Sequence, residues 1–269
     1  MLEDNMKKIL AFFKRLFGFG KSKDTRGSIL RDDKYALVIG VEKSAKFGSC
    51  PGARNDSNRV RNLLNQRVGH LEFLQDNSAT KANILAKMRS LIQQVPAGGI
   101  FIMTYSGHGG SQAFPDTHDE ADGNDEYLCC YDTYLKDDLI WSEITRCRGK
   151  VFLFFDCCHS ETMFRAPLIP PQDLTKDDDI VGVSSRDSKI PNSPVDMLVW
   201  SGCPDNTYSY GDSNGGLLTN AMLSAINAGK TTYNEIWSRI KSDRTLSRYS
   251  QIPQQTVLGK FDIASRFCE

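Results

Sequence analysis

The chain has 269 residues, 40% of them hydrophobic, so it can bury the core of one large domain or two small ones. Its 33 basic and 33 acidic residues balance, which argues against nucleic-acid binding, because that function usually shows as a clustered basic excess. Eight cysteines are too sparse for the disulfide framework of a small secreted domain, and no cleavable signal peptide is recognised. We therefore expect a cytoplasmic protein without nucleic-acid partners.

The N-terminus predicts a basic amphipathic helix over residues 6–17. Apolar residues recur there at helical spacing, while lysines and an arginine share the opposite face. Contact with a membrane surface or an anionic partner explains this pattern, and packing against the chain's own domain explains it equally well. The following stretch is rich in glycine, serine and charge, which is typical of a flexible linker. The sequence thus predicts an N-terminal segment over 1–31 and a folded domain over 32–269.

From residue 35 onward, strand and helix patterns alternate. Four continuous apolar runs and two weaker ones predict strands over 35–41, 71–76, 98–106, 150–156, 196–202 and 255–259. Helical periodicity is found over 56–66, 81–95, 139–147, 215–226 and 233–242. An exposed loop is expected over 168–194, with a solvated acidic run at 177–179. The alternation predicts an α/β three-layer sandwich with a mainly parallel six-stranded sheet and helices on both faces.

Two predicted strands end in residues that carry chemistry. One runs into YSGHGG with Ser106 and His108, and another runs into DCCHSE with Asp156, Cys157 and Cys158. In open α/β sheets, functional groups gather beyond the carboxyl ends of the strands. If these strands are neighbours, the histidine and the two thiols share one edge of the sheet. An imidazole makes a thiol a nucleophile near neutral pH, because it accepts the thiol proton or stabilises the thiolate.

The cysteines also have other interpretations. A zinc site built from Cys157, Cys158 and His159 is disfavoured, because adjacent ligands on one turn cannot readily form a tetrahedral cage and no CxxC pair completes it. Buried structural thiols are common in proteins. We assign that role to Cys129, Cys130, Cys147 and Cys203.

Four motifs, in this order, resemble the metacaspases and orthocaspases: YSGHGG, HDEADGNDEYLCCYD, FFDCCHSE and VWSGCPDNTYSYGDSNGGLLTNAML. The resemblance covers about residues 35–259 and implies a caspase-like fold. It implies a Cys-His dyad with Cys158 as nucleophile and His108 as general base, and an oxyanion hole of backbone N–H groups near Gly109 and Cys158. The 50-residue spacing of the dyad also matches the caspase pattern, although the local Q-A-C signature is absent. Cys157 stands where the family commonly has serine, and its side chain is expected to point away.

The resemblance further implies an endopeptidase that cleaves after Arg or Lys, with protein or peptide substrates and no organic cofactor. A basic side chain needs carboxylates in its pocket, and the matching residues are Asp56 and Asp156, with Ser106 lining the same pocket. This pocket, which holds the residue before the scissile bond, is called the S1 pocket below. Ala53 replaces a family cysteine, and Glu161 replaces a family glycine. These departures bear on pocket shape and on access to the site.

Calcium is the one metal that the resemblance suggests. The positions that match the carboxylate ligands of calcium-activated metacaspases are Asp125, Asp137 and Asp138, which offer hard oxygen donors. A further family aspartate appears as Arg165, and the acidic stretch does not have EF-hand spacing. Calcium dependence is therefore left open by the sequence.

Two further questions concern whether and when the domain cuts. Self-cleavage in the segment before the domain would make the chain a zymogen, and Lys23, Arg26 and Arg31 are the basic residues available there. The alternative function is a caspase-like module that binds or assembles without cleaving. Retention of His108, Cys158 and both pocket aspartates argues against that alternative, since a scaffold does not need all four.

Overall fold

The computed structural model describes residues 31–112, 125–157, 187–203 and 209–268. The chain divides into two units, Met1–Leu30 and Arg31–Glu269, and all described residues belong to the second. The predicted amphipathic helix and the acidic run at 177–179 lie outside the described residues. So do six residues singled out by sequence: Lys23, Arg26, Cys158, His159, Glu161 and Arg165. Within the described part of the chain, no helix combines the length and the apolarity that a membrane span requires.

The strands and helices follow the predicted alternation. The strands are Lys34–Gly40 (β1), His70–Gln75 (β2), Ile100–Ser106 (β3), Gly109–Gln112 (β4), Asp125–Cys129 (β5), Tyr134–Lys136 (β6), Lys150–Asp156 (β7), Asp187–Ile190 (β8), Met197–Ser201 (β9), Gly211–Asp212 (β10), Gly215–Gly216 (β11) and Gln254–Leu258 (β12). The helices are Ala53–Asn65 (α1), Lys81–Gln94 (α2), Asp137–Ile144 (α3), Leu217–Asn227 (α4), Tyr233–Lys241 (α5) and Arg244–Arg248 (α6), with a 3₁₀ turn at Asp76–Ser78.

The main sheet has seven strands in the order β2-β1-β3-β7-β9-β12-β8. All neighbouring strands are parallel except β9 and β12, which are antiparallel. The mainly parallel α/β architecture is therefore as predicted, but the count of six strands was wrong by one. The additional strand, β8, lies at the sheet edge within the stretch predicted to be a loop. Its sequence, DSKI, has no apolar run, and its place is set by backbone pairing with β12.

Alternate side chains of the central strands enter two apolar clusters on opposite faces of the sheet. On β1, Leu37 and Ile39 join the cluster that contains α2 and α3, whereas Ala36 and Val38 join the cluster that contains α1, α4 and α5. Burial on both faces explains why these strands appear in the sequence as continuous apolar runs. The helices on the two faces make the structure a three-layer sandwich.

Two helices that cover the sheet begin at side-chain caps that the sequence carries. Thr80 accepts a hydrogen bond from the Asn83 N–H at the start of α2, and Thr232 with Glu235 forms a capping box at the start of α5. α1 begins differently, at Gly52, whose φ of 95° is readily adopted only by glycine. A Cβ at this glycine would also collide with the carbonyl oxygen of Asp212. The start of α1 is therefore packed directly against the β10–β11 ribbon.

Candidate active site

The floor of the candidate site forms where three elements meet at the carboxyl edge of the sheet. Ser106 and Asp156 are the last residues of β3 and β7 and are register partners in this parallel pair. Asp56 lies in the first turn of α1, and its Oδ2 accepts a 3.0 Å hydrogen bond from the Ser106 hydroxyl. All three residues are buried. The fold therefore brings together the residues that the sequence predicts for the S1 pocket.

A cavity of about 440 Å³ opens at this floor. Its lining includes all described members of the predicted catalytic and substrate-binding set: Asp56, Ser106, His108, Gly109 and Asp156. The predicted nucleophile, Cys158, lies outside the described residues. Its neighbour Cys157 also borders the cavity, yet it is only 2% exposed and belongs to the apolar core. The side chain of Cys157 is therefore packed in the apolar core, and its role as a spacer beside the nucleophile stays a prediction.

Asp56 accepts hydrogen bonds at both carboxylate oxygens. Oδ1 lies 2.6 Å from Nη2 of Arg59, and Oδ2 accepts the Gly216 N–H at 2.8 Å in addition to the Ser106 hydroxyl. Burial, and after it the nearby charge of Asp156, raise the pKa of this carboxyl from 3.8 to about 7, against the opposing effect of the Gly216, Arg59 and Ser106 hydrogen bonds. Asp56 is therefore a carboxyl that changes charge close to neutral pH.

Asp156 is held by donors from two other elements. Its Oδ1 accepts the Ser209 hydroxyl at 2.8 Å, and its Oδ2 accepts the backbone N–H and the hydroxyl of Thr219 at 2.8 and 2.7 Å. Burial raises the pKa of Asp156, although the bonds from Thr219 and Ser209 act against this. The two carboxyls interact electrostatically, so the floor of the pocket titrates as a pair.

The glycine pair of the β10–β11 ribbon is required by these carboxylates. A Cβ at Gly215, which has a φ of 118°, would collide with Oδ1 of Asp56, and a Cβ at Gly216 would collide with Oδ2 of Asp156. The ribbon can therefore cover the carboxylates and donate the Gly216 N–H only because both positions lack a side chain.

His108 follows β3 in a turn whose backbone is fixed from two sides. Its carbonyl accepts the Tyr105 hydroxyl at 2.6 Å and the Cys129 N–H at 3.0 Å. The Nε2 atom of its ring lies 3.0 Å from the carbonyl oxygen of Ser49 in the loop between β1 and α1. A carbonyl can only accept, so Nε2 must donate, and the neutral ring then carries its lone pair on Nδ1. This arrangement provides a base at Nδ1 with a fixed ring orientation.

Five residues of the site were missed by the sequence reasoning: Ser49, Arg59, Ser209, Gly216 and Thr219. Ser209 is the final serine of the SGCxxxxxS pattern within the fourth motif, which was the available signal for it. Arg59 stands three positions after Asp56, where the side chains of a helix face each other. Ser49 contributes only its carbonyl group, for which a sequence offers no signal.

Of the predicted calcium ligands, Asp137 and Asp138 do not line the cavity. Asp137 and Asp138 open α3, directly after β6, and Asp125 begins β5, which is antiparallel to β6. Asp137 is fully buried, and its Oδ1 accepts the Asp138 N–H at 3.0 Å. Among the described side chains, no group of three or more His, Cys, Asp or Glu residues is arranged to hold a metal ion. Calcium binding at these three positions stays a prediction.

The cysteines assigned a structural role are mostly within the core. Cys129, Cys130 and Cys203 are buried, as predicted, and burial raises the pKa of the Cys130 thiol well above its usual range. Cys147 is only partly buried, at the opposite end of the sheet from the candidate site. Its pKa is also raised by burial. High thiol pKa values are those of poor nucleophiles, which agrees with a structural role.

The family model of the caspase domain, peptidase family C14, matches residues 33–260. The chain belongs to the caspase-domain family. Its relatives include metacaspase-1 of Cryptococcus neoformans, 26% identical over 85% of this chain and 64% of the relative. They also include metacaspase-1 of Ajellomyces capsulatus, 27% identical over 82% and 78% of the two chains, and metacaspase-1A of Aspergillus fumigatus, 26% identical over 85% and 70%. The predicted resemblance to metacaspases is thereby confirmed.

A solved structure gives independent support for the fold. The crystal structure of a protein from Geobacter sulfurreducens is 23% identical, has a TM-score of 0.67, and the match covers 87% of this chain and 97% of that one. The fold prediction is therefore confirmed. The caspase-domain chain spans slightly less than two thirds of the Cryptococcus metacaspases it matches, 64% and 63% of their lengths.

Proposed function

We propose that this caspase-domain chain is a cysteine endopeptidase that cleaves after Arg or Lys. The observation that carries the proposal is the buried pair Asp56 and Asp156 on the floor of a cavity that His108 also lines. Two carboxyls buried at the bottom of a pocket are costly unless a cation compensates them. Arg59 compensates one of the two charges, and a substrate guanidinium or ammonium group entering the cavity compensates the other.

The chemistry assigned to the dyad requires only groups of this chain and water. Nδ1 of His108 accepts the proton of the Cys158 thiol, and the sulfur forms a bond to the scissile carbonyl carbon. Backbone N–H groups near Gly109 and Cys158 stabilise the oxyanion. The amine then leaves with the proton from His108, and a water molecule, deprotonated by His108, hydrolyses the thioester and restores the thiol.

Within this mechanism, the Ser49 carbonyl has a positioning role. The bond that it accepts from Nε2 keeps Nδ1 as the basic nitrogen in the neutral ring. It also stabilises the imidazolium that forms when Nδ1 takes the thiol proton, because a carbonyl oxygen accepts more strongly from a charged donor.

Fluorogenic peptides that differ only in the residue before the scissile bond test the proposal. The full chain is expected to hydrolyse Arg and Lys peptides, and to leave matched Asp and norleucine peptides intact. Cys158→Ala should abolish turnover, whereas Cys157→Ala is the matched control and should retain it. Cleavage after Asp, or loss of activity only in Cys157→Ala, would contradict the assignment. Absence of turnover together with stable partner binding would favour the non-cleaving module.

We also propose self-cleavage before the domain, at Lys23 or Arg26 rather than Arg31. Arg31 is tied to the domain, because its side chain donates to the carbonyl of Gln66 and its own carbonyl accepts the Lys34 N–H. A peptidase needs an extended segment that reaches its site, so anchored residues make poor substrates. N-terminal sequencing of purified chain and of Cys158→Ala is the test, and an identical intact N-terminus in both would overturn the idea.

Calcium activation stays a proposal of its own, at the acidic residues Asp125, Asp137 and Asp138. It is supported by three hard oxygen donors at the adjoining ends of β5 and α3. Turnover of an Arg peptide with excess calcium is compared with turnover in chelator, for the parent chain and for Asp138→Asn. Equal rates in calcium and chelator would remove calcium from the proposed function.

The cytoplasmic location and the contact of residues 6–17 with a membrane also stay predictions. Sedimentation of the full chain with anionic phosphatidylserine vesicles, compared with neutral phosphatidylcholine vesicles, tests the second of them. Reversal of Lys7 and Lys8 to Glu should abolish co-sedimentation, because anionic surfaces attract basic segments. Failure of the unaltered chain to sediment with either vesicle would leave intramolecular packing as the role of this segment.

A further inference from the structure

The floor of the S1 pocket contains a cation that belongs to the chain itself, the guanidinium of Arg59. Neither the family match nor the sequence motifs assign a role to it. Nη2 of Arg59 lies 2.6 Å from Oδ1 of Asp56, and Nη1 donates to Oδ1 of Asn220 on α4 at 2.7 Å. The two contacts use both terminal nitrogens of the guanidinium. Its position beside the carboxylate is therefore fixed from two helices.

Arg59 approaches the carboxylate from outside the cavity. It is absent from the cavity lining, which includes Asp56 and Gly216. A Cβ at Gly215 would meet Nη2 of Arg59 as well as Oδ1 of Asp56, so the ribbon passes directly over their contact. Arg59 consequently acts on the charge of the pocket without occupying the space that a substrate side chain needs.

The charges that surround the pair can be named element by element. Arg59 comes from α1 and Asp156 from β7, and His108 borders the same cavity from the turn after β3. α4 contributes the uncharged Thr219 and Asn220, and the ribbon contributes the backbone N–H of Gly216. When both carboxyls are ionised, Arg59 leaves the floor with one net negative charge, which a single basic side chain neutralises.

We propose that Arg59 is a specificity-determining positioning residue, which sets the charge of the S1 floor to match one monovalent cation at neutral pH. The proposal rests on the proposed cleavage after basic residues. Arg59 lowers the pKa of both Asp56 and Asp156, against the larger effect of burial, so it keeps the pair ionised at lower pH than burial alone would allow. Without it, the floor takes up a proton and loses attraction for a cation.

Binding of butylguanidine, a monovalent mimic of the arginine side chain, tests this without involving catalysis. The full chain carrying Cys158→Ala is titrated by calorimetry between pH 5.5 and 9. In Arg59→Met, we expect the pH at which affinity is lost to rise by about one unit. The dissociation constant should increase about tenfold near pH 6.5. At pH 9, where both carboxyls are ionised and no longer offset by Arg59, it should fall below the parent value. Arg59→Lys should restore most of the parent profile.

Two further variants complete the experiment. Arg61→Met is the matched control, because Arg61 lies on the same helix but packs over the ring of Phe73 at 4.7 Å, and its profile should equal that of the parent. Asn220→Ala removes the second anchor of the guanidinium and should produce a smaller shift in the same direction. It serves as the test if Arg59→Met does not fold.

The possible outcomes separate this inference from the function on which it rests. Equal weakening at every pH in Arg59→Met would indicate a merely structural residue and overturn the inference, as would an unchanged profile. In both cases the basic specificity would stand, because the parent binds butylguanidine. If the parent binds no butylguanidine at any pH and cleaves no basic peptide, the proposed specificity fails and the inference falls with it.

Discussion

The protein buries carboxylates in two regions, and their surroundings differ in kind. Glu143, on α3, is 3% exposed and forms ion pairs with Arg89 at 2.7 Å and Arg146 at 3.0 Å. At the carboxyl edge of the sheet, Asp56 and Asp156 border a cavity of about 440 Å³, and Arg59 is the one described arginine that interacts with both. The first carboxylate is fully compensated by the chain itself. Among the described residues, the second region has fewer cations than carboxyls, and the proposed function assigns the remaining charge to a basic substrate side chain.

This difference in the number of neighbouring cations distinguishes the two regions more clearly than the burial of their carboxylates does. The exposed fractions of the side chains do not distinguish the two regions, because Glu143, Asp56 and Asp156 are all buried. What distinguishes them is the count of cations around each carboxylate and the presence of a cavity beside it.

Asp156→Asn should lower kcat/KM for an Arg peptide by about a hundredfold or more, because truncating one partner of a buried charge interaction typically costs 2–5 kcal/mol. Stability in urea should be unchanged or slightly raised, since one of two repelling carboxyls is removed while asparagine retains the shape. Peptide kinetics and urea unfolding on the same preparation provide the measurement. A large loss of stability would place Asp156 with Glu143 rather than in a substrate pocket.

Asp76 is an intermediate case, because its partners are structural but hold the loop that carries Ser49. It has a φ of 48°, accepts the Glu42 and Lys43 N–H groups at 2.9 Å each, and pairs with Arg54. Asp76→Ala should reduce kcat roughly tenfold with little change in KM, because the loop no longer orients His108.

Asp76→Asn is the control for that experiment. Asparagine tolerates positive φ and its oxygen can accept the same two N–H bonds, so this variant loses only the charge opposite Arg54. Its kcat should stay close to that of the parent. An equal loss of kcat in both variants would show that charge, and not the anchoring of the loop, is what matters.

Glu143→Gln should lower stability and leave activity nearly unchanged, which is the opposite of the result expected for Asp156→Asn. The expected loss of stability is about 1–2 kcal/mol, kept modest because both arginines are more than half exposed. Activity toward an Arg peptide should stay within about twofold of the parent. Urea midpoints test the expected loss of stability, and peptide kinetics test the retained activity. A selective loss of activity would show that α3 is coupled to the site.

The smallest effect concerns the pH dependence of stability. Asp56 has its pKa raised from 3.8 to about 7 by burial and by the charge of Asp156. The folded chain therefore binds more protons than the unfolded chain between these values, so this group makes stability fall as pH rises from about 4 to about 7. Asp156→Asn should reduce that fall for two reasons: it removes the charge that raises the pKa of Asp56, and it removes the Asp156 carboxyl, whose own pKa is raised by burial.

Urea unfolding of the parent and of Asp156→Asn at pH 5 and pH 8 measures this difference. Subtracting the two pH dependences cancels the groups that both chains share. An identical pH dependence in the two chains would mean that the carboxyls do not interact, and would weaken the contrast with Glu143.

Much of the fold could be predicted because its signals are local. Continuous apolar runs such as residues 100–106 occur where a strand is covered on both faces, and the helices carry their own periodicity. β8 could not be predicted, because the sequence DSKI gains its strand structure from pairing with β12 and not from its own pattern. The two short strands of the β10–β11 ribbon could not be predicted for the same reason.

The sequence by itself determined which side chains could gather at the site, since His108, Asp156 and Ser106 directly follow or end buried strands of a parallel sheet. Only the tertiary structure decided which partners these side chains bind and in which direction they point. It selects the carbonyl of Ser49 as the partner of His108, and no sequence distinguishes one carbonyl from another. It also turns Arg59 toward Asp56 while Arg61 stacks on Phe73, because packing fixes the direction of each side chain.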